Sequence, residues 1–305
     1  MLGGAVLGAM LTANAGPLQR ADVIADPAWV LHVDCDGLKK TSLGKSLLAE
    51  LDKPEAQKKL AAMQLILNVD PRKDLHGVTI YGATKDQSDG VMVVYADFDA
   101  ARLTTLAEAN KDYESTKHGA QTIHSWIDEK RPEKDGVKPR TYGAIKGKVL
   151  IFAQKEARVA DALDAMDKTK PNLATSKDYP RLAGGDGGFI VGAARKLDLP
   201  NNDPGAAVLK QAKSFWLSVG QKEDRTEVSL DLEAADLEVA KQMGDVCRGL
   251  MALLSLQKDK PEAAKLSQGL SISQEDKRVS LKLTLRTDDV VTMIKDKAAK
   301  KDGSE

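Results

Sequence analysis

The chain carries one loose order of segments twice, and this internal repeat limits what it can fold into. Four pairs of segments correspond in order: "WVLHVDCDGL" (29–38) with "GFIVGAARKL" (188–197), "GVTIYG" (77–82) with "FWLSVG" (215–220), "FDAARL" (98–103) with "LEAADL" (232–237), and "VLIFAQKEARVADAL" (149–163) with "VSLKLTLRTDDVVTMI" (279–294). The repeated order is strand, helical segment, strand, hairpin strand, helix, further strand pairing and helix. Such an order indicates a duplicated unit rather than one irregular domain.

Two different hydrophobic periods occur within these segments. "VSLKLTLR" (279–286) alternates apolar and polar residues, which is typical of a half-buried strand with one solvated face. Val159, Ala162, Leu163 and Met166 instead follow the spacing of one helix face. The sequence therefore predicts an α+β fold of two diverged tandem units, each a mainly antiparallel sheet with helices packed on one face.

The predicted boundaries follow from composition. The Gly-rich stretch "LAGGDGG" (182–188) separates a first unit over 16–182 from a second over 183–305. The first unit has an extra helical insert at roughly 43–68, in which Pro54 suits a first turn, and Asp99 suits the N-cap of a later helix. The second unit has a longer helix around 238–256 instead.

The first 15 residues are typical of an export signal. "LGGAVLGAMLT" is a short apolar run, and "ANA" (13–15) is a small-x-small cleavage pattern before Gly16. No Lys or Arg precedes the run, so we expect the true start to lie upstream with a basic segment. The alternative is a buried N-terminal helix. Export predicts a periplasmic or secreted protein with no stable membrane span after the signal is removed.

Charge and aromatic content argue against nucleic acid as a partner. The 45 Lys and Arg residues balance 45 Asp and Glu residues, so the chain has no general attraction to phosphate backbones. With 3 Trp, 5 Tyr and 4 Phe, it also offers few platforms for stacking bases.

The two cysteines, Cys35 and Cys247, are too few for a cysteine-built zinc site. After export they can form a disulfide, but their apolar flanks favour two separate buried thiols.

The stretch "HVDCD" (32–36) is the candidate site for chemistry. On a strand, His32, Asp34 and Asp36 face one side, opposite Val33 and Cys35. This row spans about 13 Å, so one metal ion can reach at most two neighbouring members and needs ligands from elsewhere. The simpler interpretation is a solvated strand face with Asp36 at the turn before Gly37. The sequence thus assigns no catalytic or cofactor-binding residue, and these three are the metal candidates.

Two glycine-containing stretches imitate ligand-binding loops. A phosphate-binding loop needs four residues between its first Gly and the Gly-Lys-Ser, but "GLKKTSLGKS" has six between Gly37 and Gly44. In addition, Leu43, Leu47, Leu48 and Leu51 form one apolar stripe of a helix, which already includes the residue before Gly44. Gly44 and Lys45 are therefore expected in a first helical turn, with Thr41 or Ser42 as its cap. The glycines of "GGDGG" (184–188) would allow a ligand to approach the backbone closely. The stretch lacks the G-x-G-x-x-G spacing of a dinucleotide-binding loop, so we interpret it as a linker.

The chain resembles uncharacterised secreted bacterial proteins with tandem α+β units. Two stretches carry the resemblance: "ADPAWVLHVDCDGLKKTSLGKSLLAEL" (25–51) and "HGAQTIHSWID" (118–128). The resemblance covers the order of most of the mature chain. Its motifs are hydrophobic and structural, so it implies a fold and a compartment but no catalytic residue, cofactor or partner.

Together these features favour an exported, non-enzymatic binding or interaction protein of the bacterial cell envelope, with no cofactor. Its partner is expected to be a protein, a peptide or an envelope component. Two alternatives remain: a metal-assisted hydrolase using His32 and Asp34 with groups from the other half, and a structural assembly subunit that pairs through an exposed sheet edge.

The export signal makes a direct prediction about the mature protein. Because signal peptidase cleaves after a small-x-small pattern, N-terminal sequencing of the exported protein should begin at Gly16. Intact Met1 on cytosolic protein would contradict the signal.

Overall fold

A computed structural model describes residues 16–133, 136–183, 188–195, 210–257 and 261–302. The export signal predicted over 1–15 lies outside the described residues, as does 184–187 of the Gly-rich stretch.

The described residues form one twelve-stranded sheet in which every pair of neighbouring strands is antiparallel. The strands are Trp29–Asp34 (β1), Leu75–Gly82 (β2), Gly90–Ala96 (β3), Glu114–His118 (β4), Gln121–Ile127 (β5), Arg140–Lys146 (β6), Val149–Ala153 (β7), Ile190–Arg195 (β8), Ala212–Lys222 (β9), Arg225–Ala234 (β10), Leu270–Glu275 (β11) and Arg278–Arg286 (β12).

Nine α-helices lie within the described ranges. They are Cys35–Lys40 (α1), Ser42–Glu50 (α2), Pro54–Leu67 (α3), Pro71–Asp74 (α4), Ala100–Glu108 (α5), Glu156–Met166 (α6), Leu237–Ser255 (α7), Pro261–Gly269 (α8) and Thr287–Asp302 (α9). The predicted α+β class with a mainly antiparallel sheet is confirmed.

The strand order is centred on the pair β1 and β8. Outward from β1 the order is β2, β3, β7, β6, β5 and β4, and outward from β8 it is β9, β10, β12 and β11. The register of the central pair runs from Trp29 opposite Ala194 to Val33 opposite Ile190. The sheet is therefore continuous across the point where the sequence predicts a boundary, and the division into two units stays a prediction.

The sheet has a separate hydrophobic core on each face. Ala193 belongs to the core that α6 covers with Val159 and Leu163, whereas Ala194 belongs to the core that α7 covers with Met243. Because Ala193 and Ala194 are neighbours on β8, their side chains point to opposite faces. Both faces of the central sheet are thus buried, one mainly by the first half and the other mainly by the second.

Both thiols are free in the structure. Cys247 is a residue of α7 that is buried in the core, and Cys35 is the first residue of α1.

Helix α3 is the least packed helix of the described chain. It begins at the expected Pro54, and its apolar stripe follows the helical period, but none of its residues is buried and Leu65 is 77% exposed. Arg102 of α5 holds its end by donating to the carbonyls of Leu65 and Ile66 at 2.5 and 2.7 Å.

The expected helix caps are confirmed at two positions. The Thr41 hydroxyl accepts from the Gly44 backbone N–H at 2.9 Å and caps α2, and Asp99 caps α5 by accepting from the Arg102 N–H at 3.1 Å. Three further aspartates that were not predicted as caps also cap helices: Asp34 at α1, Asp70 at α4 and Asp236 at α7.

No helix in the described part of the chain is both long enough and apolar enough to cross a bilayer.

Leucines on two helices should differ sharply in their contribution to stability. Leu163 of α6 is fully buried, so Leu163→Ala should lower the free energy of unfolding by about 2–5 kcal/mol. Leu65→Ala, also in a helix but exposed, should change it by no more than about 0.5 kcal/mol. Urea denaturation of both variants measures the difference; equal effects would contradict the assigned core.

Candidate functional site

The candidate stretch "HVDCD" crosses the end of β1. The strand stops at Asp34 and α1 begins at Cys35, with the Asp34 carboxylate accepting from the Gly37 backbone N–H at 2.8 Å. Strand alternation therefore places His32 and Asp34 on one face but no longer applies to Asp36. The structure brings two of the three metal candidates together and separates the third.

His32 is buried rather than solvated, at 1% exposure. Its Nε2 lies 3.1 Å from the Gly16 carbonyl, to which it donates, so Nδ1 accepts from the Thr79 hydroxyl at 2.9 Å. Burial lowers the pKa of His32. The hydrogen bond to the Gly16 carbonyl and the charge of Asp34 act in the opposite direction, but burial outweighs them. The imidazole is thus neutral near pH 7, and both of its nitrogens are engaged.

Asp36 belongs to a separate charged cluster on the first half. His76 bridges two carboxylates, with Nδ1 2.9 Å from Asp36 and Nε2 3.1 Å from Asp97, and Lys39 and Lys148 flank them. Burial alone would lower the pKa of His76, but its hydrogen bonds to Asp97 and Asp36 outweigh burial and raise it. This Asp36–His76–Asp97 cluster ties α1 to the sheet.

No group of three or more His, Cys, Asp or Glu side chains suited to hold a metal ion occurs in the described ranges.

A cavity of about 190 Å³, here called the junction cavity, lies where the two halves meet. Its lining comes from the first residues after the predicted signal, from the β1–α1 turn and from the second half: Pro17, Leu18, His32, Asp34, Gly37, Thr41, Arg181, Leu182, Gly188, Phe189, Val191, Trp216 and Gln221. Both His32 and Asp34, the residues that the sequence singled out, contribute to it.

One wall of the junction cavity is an aromatic side chain with a cation above it. The Arg181 guanidinium lies 3.8 Å from the centre of the Trp216 ring and also pairs with Asp231. Trp216 is 9% exposed, and its indole N–H has no hydrogen-bond acceptor in the described part of the chain. A buried donor without a partner is costly, so this wall is polar but incomplete.

The lining also holds an uncompensated carboxylate. The hydrogen bonds of the Asp34 side chain are confined to the α1 cap, and the described residues include no ion-pair partner for it. Two charged groups of opposite sign, Asp34 and Arg181, therefore line one small space, and only Arg181 is neutralised by a neighbour.

Sequence reasoning missed Arg181 and Trp216. Trp216 carried a usable signal, because in "FWLSVG" it shares a strand face with Ser218 and Gly220, where a large aromatic residue is unexpected. Arg181 carried none, since it lies in a 3₁₀ helix of four residues, Pro180–Ala183, which is too short to show a hydrophobic period.

Two glycines of the loop-like stretches are required by close packing. A Cβ on Gly44 would lie 1.9 Å from the Leu38 carbonyl oxygen. The glycine of the Gly-Lys-Ser is therefore required because α2 packs tightly against α1 at this position. A Cβ on Gly188 would lie 2.6 Å from the Ser218 hydroxyl, beside the cavity. The remainder of "GGDGG" lies outside the described residues.

No protein-family model matches the chain, and no curated protein matches its sequence. Solved structures of TP0453 are similar in fold: crystal form III has a TM-score of 0.52 at 10% identity, covering 92% of this chain and 98% of that chain. Crystal form I has a TM-score of 0.49 at 11% identity, covering 92% and 97%. At such identity the similarity concerns the fold alone, and the resemblance to uncharacterised secreted proteins stays a prediction.

The two histidines should give pH dependences of opposite sign. The raised pKa of His76 means that its protonated form stabilises the fold below about pH 6.5, and that this contribution is lost as pH rises through the folded pKa. The lowered pKa of His32 means that the unfolded chain takes up the proton first, so stability is lost as pH falls below about 6.5.

Urea denaturation between about pH 5.5 and pH 9 tests this. The stability gap between wild type and His76→Gln should shrink as pH rises, and the gap for His32→Gln should grow. Gaps that change in the same direction would contradict one of the two assignments.

Proposed function

We propose that the protein is an exported, non-enzymatic binding protein of the bacterial cell envelope, and that its ligand enters the junction cavity. The observation that carries the proposal is a cavity built by both halves, with an uncompensated carboxylate and a cation-covered indole in its lining. Pockets of this kind, apolar with a few converging polar groups, are the usual place of ligand binding.

Export is supported by the way the chain continues after the predicted cleavage point. The Gly16 carbonyl is hydrogen-bonded to His32, and Leu18 is 8% exposed within the core. The residues that follow the "ANA" pattern are therefore part of the folded body and of the cavity wall, as expected if the mature chain begins there.

Binding is favoured over turnover by how the polar side chains are used. Both nitrogens of His32 are engaged, and the Thr41 hydroxyl donates to the Leu38 carbonyl while it caps α2. In this arrangement neither side chain is free to activate a nucleophile or to hold a metal ion. The hydrolase alternative thus gains no supporting contact.

Assembly through the β4 edge of the sheet also lacks a favouring observation among the described residues. One edge strand, β4, is five residues long with four of them exposed, and it contains Glu114, Lys117 and His118. Short, charged edge strands are typical of sheets protected from pairing with another chain.

The volume of the junction cavity limits the size of the ligand that can enter it. An engineered apolar cavity of about 150 Å³ accepts benzene, so the junction cavity accepts a slightly larger body. A small molecule or a single side chain of a peptide meets this limit, which agrees with a peptide or an envelope component as partner.

The test is a thermal-shift panel of amino acids, amines, sugars and short peptides on the mature protein. Compounds that raise the Tm of wild type should fail to do so in Val191→Phe, which fills the junction cavity. Leu106→Phe, in a separate apolar pocket beneath α5, is the matched control and should keep the shift. Equal shifts in both variants, or a panel without effect on wild type, would contradict the proposal.

A further inference from the structure

We infer that the ligand of the junction cavity is a small monocationic amine with an apolar body. The inference rests on the proposed function, since it takes the cavity as a binding site, and it adds the chemical class of the ligand. It is carried by the charge, the lining and the size of the cavity.

The charge of the lining is one negative unit. His32 is neutral, because burial lowers its pKa and both ring nitrogens are hydrogen-bonded. Arg181 is neutralised by Asp231. Asp34 is left without an ion-pair partner among the described residues, since nearby Lys39 is turned to Asp36 and to the Leu75 carbonyl.

An uncompensated carboxylate in the lining of a small cavity favours a cationic donor. One oxygen of Asp34 accepts from the Gly37 N–H, which leaves the other to accept from an ammonium group. An anion would face the Asp34 charge and would have to compete with Asp231 for Arg181. Asp34 therefore favours a positively charged ligand over a negatively charged one.

The remaining walls favour an apolar body. Leu18, Leu182, Phe189, Val191 and Trp216 surround the space. The Arg181 guanidinium already covers the Trp216 ring, 3.8 Å from its centre, so the ammonium group is expected at Asp34 and not on this indole. A volume of about 190 Å³ leaves room for roughly one ring and a short amine arm.

Three probes of similar size and shape but different charge separate the effect of ligand charge from that of ligand size: benzylamine, benzyl alcohol and benzoate. Isothermal titration of the mature protein measures the Kd of each. The deciding variant is Asp34→Asn, because Asn also caps helices and should keep the contact to Gly37. The matched control is Asp99→Asn, another helix-capping aspartate, on α5 and outside the cavity lining.

We expect benzylamine to bind wild type, and Asp34→Asn to weaken it by about tenfold or more, as loss of a charge-assisted hydrogen bond does. Asp99→Asn should leave the Kd unchanged. Circular dichroism and the Tm confirm that both variants fold.

Three results would overturn the amine inference. Benzyl alcohol or benzoate binding as tightly as benzylamine, or an unchanged Kd in Asp34→Asn, would reject the amine class and leave the cavity as a binding site. No binding of any probe would also reject it, while the wider thermal-shift panel with Val191→Phe decides the proposed function separately.

Discussion

The pairing of β1 with β8 is the interaction on which the rest of the structure depends. Five antiparallel residue pairs join the halves, and the backbone bonds from Asp34 to Phe189 and from Arg195 to Ala28 extend the join at both ends. Without this pairing each half would end in an exposed apolar edge, which is a template for aggregation. With it, the cores on both faces run across the boundary between the halves.

The junction cavity follows from how this central pair ends. β1 stops at Asp34 because the carboxylate caps α1, and the chain then turns away from β8. The Asp36–His76–Asp97 cluster keeps α1 in this position, and Gly44 allows α2 to pack directly onto it. Gly188 lets β8 begin close to β9 on the other side. The space between these turns is the cavity, so its shape is a consequence of one helix cap, one charged cluster and two close contacts.

Periodicity was sufficient to predict those elements that show a clear hydrophobic pattern. The alternation in "VSLKLTLR" matches β12, in which Val279 and Leu285 are buried and Lys282 is exposed, and the helix expected around 238–256 is α7. These features depend on local pattern, which a single sequence contains. Helix α1 was not expected, because "CDGLKK" has no apolar stripe and its stability comes from the Asp34 cap and the contact with α2.

The site was predictable only in part. His32 and Asp34 stood out as polar residues beside an apolar strand face, and both line the cavity. Their partners could not be inferred, since His76 meets Asp36 across 40 positions and Arg181 meets Asp231 across 50. Such contacts depend on strand register and on the placement of the short 3₁₀ helix that contains Arg181, and the hydrophobic period of the sequence determines neither.

The most direct test of the account is the indole N–H signal of Trp216 in a ¹H–¹⁵N correlation spectrum as benzylamine is added. The chain has 3 Trp residues, so Trp29, bonded through its indole to the Thr84 carbonyl, and Trp126, in the pocket beneath α5, serve as internal references. The account predicts a saturable shift of the Trp216 signal while the other two stay in place. A shift of Trp126 alone, or no shift of Trp216 at saturation, would contradict it.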